Sequence, residues 1–238
     1  MISETLFSTQ YASVWRGLTP SMEEFVRRTN MDGYTREWPP IPGGGSADQR
    51  GLVNEAGFLL FKSVANLPAA DAGASIRDNL VNATRAAHAY ILAKQDVSEA
   101  PELSLTEKRE VIVIAGRLYN FFCGERDLYG MTVSPPFKGS GILSECRGDI
   151  LIGKHLLYEV KSGDRPYRSV DVRQLAVYVA LGFAENGSVV EKIGLLNPRR
   201  GTFVEVLTED FANEVAGQSA VSLCHSLIEA FSSNLVSL

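Results

Sequence analysis

The chain has 238 residues, of which 45% are hydrophobic and 21% charged, and a formal net charge of −5 at pH 7. This composition predicts an ordinary soluble globular protein that can build a full core. There is no charged-then-apolar leader, and the longest aliphatic run, VIVIAG, is far too short to span a bilayer, so we expect a cytoplasmic protein without a membrane segment. The three cysteines are widely separated, which argues against a disulfide framework, a zinc site and a four-cysteine iron–sulfur cluster.

The acidic balance does not by itself indicate nucleic-acid binding, which usually leaves a basic footprint. A local patch is sufficient, however, and residues 147–173 contain six basic side chains against four acidic ones. If two of these acids bind a metal ion, the segment becomes clearly cationic. Charge alone therefore neither favours nor excludes a nucleic-acid partner.

The N-terminal portion is predicted to be helical. Ser21 and Glu24 have the spacing of a capping box, in which each side chain accepts a hydrogen bond from the other residue's backbone. After a Pro/Gly-rich break, the apolar spacing predicts helices at about 48–66 and 74–95. We therefore expect a helical region over residues 1–103.

The remaining chain, residues 104–238, is predicted to form a second region. Ser104 and Glu107 have capping-box spacing at the start of another helix, after which the apolar pattern becomes typical of strands. We expect strands near 130–136, 142–153, 155–162, 189–196 and 202–207, and helices near 170–184 and 208–234. This order predicts an α/β or α+β core behind the helical N-terminal portion.

The segment Gly148–Gly163, GDILIGKHLLYEVKSG, predicts a hairpin with charged residues inside two aliphatic runs. Glu159 and Lys161 are two residues apart on a strand, so their side chains share a face. A two-residue turn would pair Asp149 with Tyr158 and send Glu159 to the opposite face. A three-residue turn or an equivalent bulge pairs Asp149 with Glu159, and the chemistry predicted below requires this register.

Two adjacent carboxylates repel each other unless a cation lies between them. Oxygen ligands with a lysine nearby suit Mg²⁺ or Mn²⁺ that is bound partly by a substrate phosphate. Such an ion would polarise a phosphodiester and lower the pKa of a bound water, while Lys161 positions that water or stabilises charge in the transition state. The simpler alternative is a half-exposed hairpin whose charged side chains face water.

The pattern Gly-Asp-x9-Glu-x-Lys on a hairpin, followed by a helix, resembles the PD-(D/E)xK nuclease superfamily. On that helix Gln174 and Tyr178 have the Gln-x3-Tyr spacing of the RecB-like branch, and the i, i+4 spacing puts both on one face. The resemblance extends over about 105–207. It implies a restriction-endonuclease-like core, with a mixed central sheet flanked by helices, in a metal-dependent nuclease.

By this resemblance, Asp149 and Glu159 bind Mg²⁺ or Mn²⁺, with the Val160 carbonyl as a further ligand. Lys161 serves the attacking water, and Gln174 orients the substrate or Lys161. The iron–sulfur members of the family have cysteines that this chain lacks, so no cluster is expected.

The family also has an acid on a helix that precedes the sheet. Glu110 lies on the helix just before the predicted strands and is the preferred candidate. Glu107, which the capping box can occupy, and Glu55, farther upstream, remain alternatives.

Further contacts to nucleic acid are predicted beyond the hairpin. Arg165, Arg168 and Arg173 follow it directly, and we expect them either to contact phosphates or to form a solvated face. Tyr178 either meets the substrate together with Gln174 or is a buried core tyrosine with a satisfied hydroxyl.

The resemblance implies a DNA endonuclease, with a role in prokaryotic defence or repair. No ATPase motif is present, so a helicase partner would be a separate chain, and making a double-strand break with one site per chain would favour a homodimer. The competing hypothesis is a catalytically inactive nuclease-like module that binds nucleic acid or docks a partner protein such as a helicase.

Overall fold

The computed structural model describes residues 1–43, 45–95 and 102–232. Its helices are α1 (Glu4–Gln10), α2 (Ala12–Leu18), α3 (Met22–Met31), α4 (Arg50–Val64), α5 (Ala69–Gln95), α6 (Leu105–Tyr129), α7 (Ser169–Asn186), α8 (Thr208–Ala216) and α9 (Ala220–Ser232). Its strands are β1 (Thr35–Arg36), β2 (Met131–Val133), β3 (Pro136–Phe137), β4 (Cys146–Arg147), β5 (Ile150–Ile152), β6 (Leu156–Val160), β7 (Lys192–Asn197) and β8 (Thr202–Leu207). Across these three ranges, no helix combines the length and the apolar character that crossing a membrane requires.

The centre of the molecule is a mixed sheet with the strand order β1-β8-β7-β6-β5-β2 among the described residues. Strands β6 and β7 are parallel and are joined through α7, while the other neighbours in this sheet are antiparallel. Strands β3 and β4 form a separate two-stranded ladder. A mixed sheet flanked by helices confirms the predicted α/β or α+β class.

Two hydrophobic cores cover the two faces of this sheet, and the N-terminal helices contribute to both. Phe7 and Trp15, from α1 and α2, pack in one core with residues of α7, α8 and α9. Helices α4, α5 and α6 share the second core with Ile150 and Ile152 of β5. Because β1 also pairs with β8, the first 103 residues are joined to the rest of the chain through both packing and backbone hydrogen bonds.

Two predicted strands and one predicted helix are divided in the structure. Ser134, with φ +58°, separates β2 from β3 within the predicted strand 130–136, and Gly148 separates β4 from β5 within 142–153. The predicted helix 208–234 is two helices, because Gly217 adopts a left-handed conformation that ends α8. Positions 233 and 234 lie outside the described residues.

Of the two predicted capping boxes, one is confirmed. Ser104 and Glu107 hydrogen-bond to each other's backbone N–H groups at the start of α6. Ser21 does precede α3, but among the described residues its side chain accepts no hydrogen bond from that helix, so the predicted box with Glu24 is wrong. Glu24 instead accepts hydrogen bonds from the Arg27 guanidinium, one turn along the same helix.

Candidate active site

The hairpin between β5 and β6 has the predicted three-residue turn. Ile152 pairs with Leu156, which leaves residues 153–155 in the loop. Gly153 has φ +53°, a left-handed conformation that glycine adopts without steric cost. The predicted odd loop length is therefore confirmed.

This turn sets the register on which the predicted site depends. Ile150 pairs with Tyr158, so the next position outward brings Asp149 opposite Glu159. The side chains of Ile150 and Tyr158 enter the core beneath α6, as the alternation of a strand requires. Glu159 points to the other face of the sheet, where α7 covers it and leaves it 3% exposed.

Lys161 connects the end of β6 to α7. Its Nζ donates to Glu159 Oε1 at 2.5 Å and to Gln174 Oε1 at 2.9 Å. The Gln174 amide nitrogen donates in turn to the Tyr178 hydroxyl oxygen at 2.8 Å. Because a lysine ammonium can only donate, it requires the oxygen of the Gln174 amide and leaves the nitrogen for Tyr178. The structure thus brings the predicted Glu-x-Lys and Gln-x3-Tyr residues into one chain of hydrogen bonds.

Asp149, immediately before β5, is held by backbone groups. The Val160 N–H donates to Asp149 Oδ2 at 2.7 Å, and the Asp149 carbonyl accepts from the Ser134 N–H at 2.8 Å. The N–H and C=O of one strand residue point to the same side, so the Val160 carbonyl also faces the Asp149 edge.

Asp149 and Val160 line a cleft of about 550 Å³ between the sheet and the α4–α5 pair. Helix α4 contributes polar and aromatic groups to this lining, helix α5 contributes a tyrosine, and the chain that precedes Asp149 contributes two further groups. In chain order these residues are Asn54, Glu55, Phe58, Lys62, Tyr90, Ser134 and Arg147.

The two carboxyls of the site are electrostatically unfavourable as a charged pair. Burial raises the pKa of Glu159 to about 8, and the neighbouring Asp149 charge adds to this increase, against the opposing effect of Lys161. Burial likewise raises the pKa of Asp149, although hydrogen bonding from Val160 and the charge of Lys161 oppose it. Burial would lower the pKa of Lys161, but the charges of Glu159, Asp171 and Asp149 outweigh it and raise that pKa. A proton or a cation between the two carboxyls therefore stabilises the site.

One carboxyl oxygen of the Asp149–Glu159 pair lacks a hydrogen-bond partner among the described residues. Glu159 Oε2 is buried and has no hydrogen-bond partner within the described part of the chain. A buried acceptor without a partner is costly, and a bound ion is one way to satisfy it. Residues 1–43, 45–95 and 102–232 contain no set of three or more His, Cys, Asp or Glu side chains arranged to hold a metal ion. Two carboxylates and a carbonyl nevertheless fit Mg²⁺ or Mn²⁺, since Mg²⁺ usually keeps several waters and binds through one or two carboxylates and phosphate.

The structure places Glu110, the preferred first-helix acid, in a buried ion pair. Its Oε2 accepts from Arg199 Nη1 at 2.6 Å and its Oε1 accepts from the Gly45 N–H at 3.1 Å. Arg199, 1% exposed, also donates to Asn54 Oδ1 and to the Ser162 carbonyl. Both Glu110 oxygens thus have partners, and Glu110 is absent from the described lining of the cleft.

The two alternative acids are in different places. Glu107 is held by the Ser104 capping box and also accepts from the Ser46 N–H at 3.0 Å. Glu55, on the second turn of α4, lines the same cleft as Asp149 and Val160. Of the three candidates that the sequence leaves open, Glu55 is therefore the one that shares a surface with the hairpin.

Two of the three arginines predicted to contact phosphate are paired with acids of the chain. Arg165 donates to both oxygens of Asp171, at 2.6 and 2.7 Å. Arg173 donates to Glu23 at 3.0 Å and lies over the Trp15 ring. Arg168 is exposed at the start of α7. None of the three belongs to the described lining of the cleft, so their contact with nucleic acid stays a prediction.

Tyr178 lies inside the protein. Its side chain is 2% exposed and its ring stacks on Phe137, with the centroids 5.4 Å apart and the planes 12° apart. Of the two predictions for Tyr178, its position therefore matches that of a buried core tyrosine with a satisfied hydroxyl. It can act on the site through Gln174, whose amide it holds.

Neither protein families nor curated proteins provide a relative of this chain. No protein-family model matches the chain. No curated protein matches it either. Function must therefore be inferred from the chemistry of the residues that the fold brings together.

The raised pKa of Glu159 predicts how the stability of the metal-free chain depends on pH. The folded state holds this proton more tightly than the unfolded state, whose pKa is near 4.5, so the stabilisation is complete below pH 4.5 and is lost as the pH rises through about 8. Urea unfolding in EDTA should show a decrease in the free energy of unfolding between pH 5 and 8, and Glu159→Gln should flatten it. The exposed Glu145→Gln control should keep the wild-type slope, and equal slopes in wild type and Glu159→Gln would contradict the prediction.

Proposed function

We propose that the chain is a metal-dependent nuclease with a restriction-endonuclease-like core, a DNA endonuclease that hydrolyses the phosphodiester bonds of its nucleic-acid substrate. The observation that best supports this proposal is that the fold brings the four predicted polar residues and Tyr178 together at one place. Asp149 stands opposite Glu159, and Lys161 links Glu159 to Gln174 and Tyr178. An ordinary charged hairpin would leave these groups in water, whereas here Glu159 is buried with an oxygen that needs a partner.

The proposed ligands of Mg²⁺ or Mn²⁺ are the carboxylates of Asp149 and Glu159 and the carbonyl of Val160. Glu55 replaces Glu110 in this proposal as the helix acid, because it lines the cleft to which Asp149 and Val160 contribute, and because both Glu110 oxygens already have partners. Glu159 and Lys161 are not among the described lining residues and meet this cleft only through Asp149 and Val160. When bound, the ion supplies Lewis acidity that polarises a phosphodiester and makes water a better nucleophile. The acids of the chain hold the positive charge at the edge where a phosphate can enter.

The proposed role of Lys161 is that of a charged hydrogen-bond donor. Its pKa is raised because Glu159, Asp171 and Asp149 together outweigh burial, so it remains protonated at neutral pH and cannot act as a base. An ammonium fixed between Glu159 and Gln174 can orient the attacking water and stabilise negative charge that develops on the phosphate. Gln174 is a positioning residue in this scheme, because its oxygen holds Lys161.

A nuclease panel tests the proposal directly. Wild-type protein is incubated with supercoiled plasmid, linear duplex, single-stranded DNA and RNA, in Mg²⁺, Mn²⁺ or EDTA, with Lys161→Ala as the control. Metal-dependent cleavage that disappears in the variant supports a nuclease, and the panel identifies its substrate. Cleavage of none of the four substrates would instead favour the inactive module that binds nucleic acid or docks a partner such as a helicase.

Metal binding can be tested without any substrate. At one hundred times its dissociation constant, an ion that binds the folded state stabilises it by about 2.7 kcal/mol. For a chain of this size we expect Mn²⁺ to raise the Tm by roughly 5–10 °C. Asp149→Asn should abolish this increase, and Asp32→Asn, at an exposed acid, should retain it. An equal increase in all three proteins would show that Mn²⁺ binds elsewhere.

A further inference from the structure

The turn between β2 and β3 brings two cations to the edge of the cleft beside Asp149. Lys62 Nζ donates to the Ser134 hydroxyl at 3.1 Å, and Arg147 Nη1 donates to the Ser134 carbonyl at 3.1 Å. Ser134 has φ +58°, which is uncommon for a serine, and strained backbone of this kind concentrates at functional sites. The N–H of the same residue binds the Asp149 carbonyl, so one turn positions both cations and the predicted metal ligand.

These two cations differ from the arginines that follow the hairpin. Arg165 and Arg173 donate to carboxylates of the chain, which cancel their charge locally. The Ser134 groups that accept from Lys62 and Arg147 are neutral, so these two contacts leave the positive charge in place. Both side chains are exposed and line the cleft, where an incoming phosphate can reach them.

Aromatic rings line the same cleft on its helical side. Phe58 of α4 is half-buried and Tyr90 of α5 is 44% exposed. Nucleic-acid bases stack on such rings only when they are unpaired, whereas a duplex keeps its base faces covered. A cleft of about 550 Å³ is also of the size that takes a small organic ligand, which corresponds to one or two nucleotides.

We propose that this part of the cleft is a subsite for an unpaired nucleotide. Lys62 and Arg147 bind the phosphate next to the one that is cleaved, and the base stacks on Phe58 and Tyr90. The ligand class is therefore single-stranded nucleic acid, or the unpaired end of a duplex. This inference rests on the proposed nuclease function, because it uses Asp149 as the neighbouring reaction site.

The experiment measures binding in the Lys161→Ala background, with Mg²⁺ present. Fluorescence anisotropy compares a labelled single-stranded oligothymidine with a blunt duplex of equal length, over a series of salt concentrations. The test variants are Lys62→Met, Arg147→Gln and Phe58→Leu. Matched controls are Lys138→Met and Arg16→Gln, which remove the same charges outside the lining of the cleft. Circular dichroism and the Tm check that each variant is folded.

We expect the single strand to bind at least tenfold more tightly than the blunt duplex. Lys62→Met and Arg147→Gln should each weaken single-strand binding by about fivefold and reduce the slope of log K against log salt by about 0.7. Phe58→Leu should weaken it by about tenfold without changing the slope, because stacking involves no counterion release. Lys62→Arg, which keeps the charge, should retain the wild-type slope, and the two controls should behave like the background protein.

Two different failures are distinguishable. If Lys62→Met and Arg147→Gln keep the affinity and salt slope of the background, or if the duplex binds as tightly as the single strand, the subsite is refuted. Cleavage by the wild type would still support the proposed function in that case. If the wild type cleaves no substrate and the Lys161→Ala protein binds no nucleic acid, the proposed function fails and the subsite fails with it.

Discussion

Replacing Lys161 by alanine is expected to slow cleavage by about 10²- to 10³-fold while leaving the fold intact. The reason is that this substitution removes a charged donor whose effect is largest when negative charge develops on the phosphate. Single-turnover cleavage in Mn²⁺ measures the effect. Lys154→Ala is the matched control, because it removes a lysine from the exposed turn of the same hairpin, and it should cleave at the wild-type rate.

A second substitution separates the charge of Lys161 from its hydrogen bonds. Lys161→Gln can still donate to Gln174, but it carries no charge and should be as slow as the alanine variant. Both variants should keep the increase in Tm that Mn²⁺ causes, because Lys161 is not a ligand in the proposed site. Cleavage at the wild-type rate by Lys161→Ala would remove this residue from the mechanism.

Replacing Glu110 by alanine is expected to lower the free energy of unfolding strongly, and comparing it with Glu55→Gln tests which of the two acids is a metal ligand. Glu110→Ala leaves the buried Arg199 guanidinium without its buried carboxylate partner and with the exposed Asp164 at 4.0 Å, and breaking a buried ion pair in this way typically costs about 3–5 kcal/mol. Urea unfolding of the metal-free protein measures this loss in the free energy of unfolding. Glu55→Gln, at a half-buried position on α4, should cost much less stability.

The same two variants are expected to have opposite effects on metal binding. Glu55→Gln should reduce the Tm increase caused by Mn²⁺ and reduce cleavage, whereas Glu110→Ala should keep a Tm increase of wild-type size. If the Glu110→Ala protein is stable but its Tm no longer increases with Mn²⁺, Glu110 and not Glu55 is the metal ligand. These outcomes distinguish the two acids even though both lie on helices that precede the β5–β6 hairpin.

The features that the sequence predicts well are those set by local geometry. The turn Gly153-Lys154-His155 determines whether Asp149 opposes Glu159, and a period of two residues along a strand then determines every face of the hairpin. The i, i+4 spacing of Gln174 and Tyr178 likewise predicts that they share a helix face. These relations depend only on residues that are close in the sequence.

The features that the sequence does not predict depend on distant partners. Glu110 and Arg199 are 89 residues apart, and their pairing follows from how α6 packs beside the end of β7. Lys62 reaches Ser134 across 72 residues because α4 lies over the turn after β2. Neither contact leaves a periodic signal, so the ion pair of Glu110 and the position of Lys62 at the cleft are visible only in the folded structure.

The guanidinium of Arg199 has a consequence for how the cleft can move. It joins Asn54 on α4 to the Ser162 carbonyl beyond β6, while its ion pair with Glu110 adds α6 to the same junction. The helix that carries Glu55 and the strand that carries Glu159 are therefore tied together at one point. Any opening of the cleft will therefore hinge at this junction, and the side where α5 contributes Tyr90 will move, so hydrogen exchange should be slow in the first turns of α4 and faster along α5.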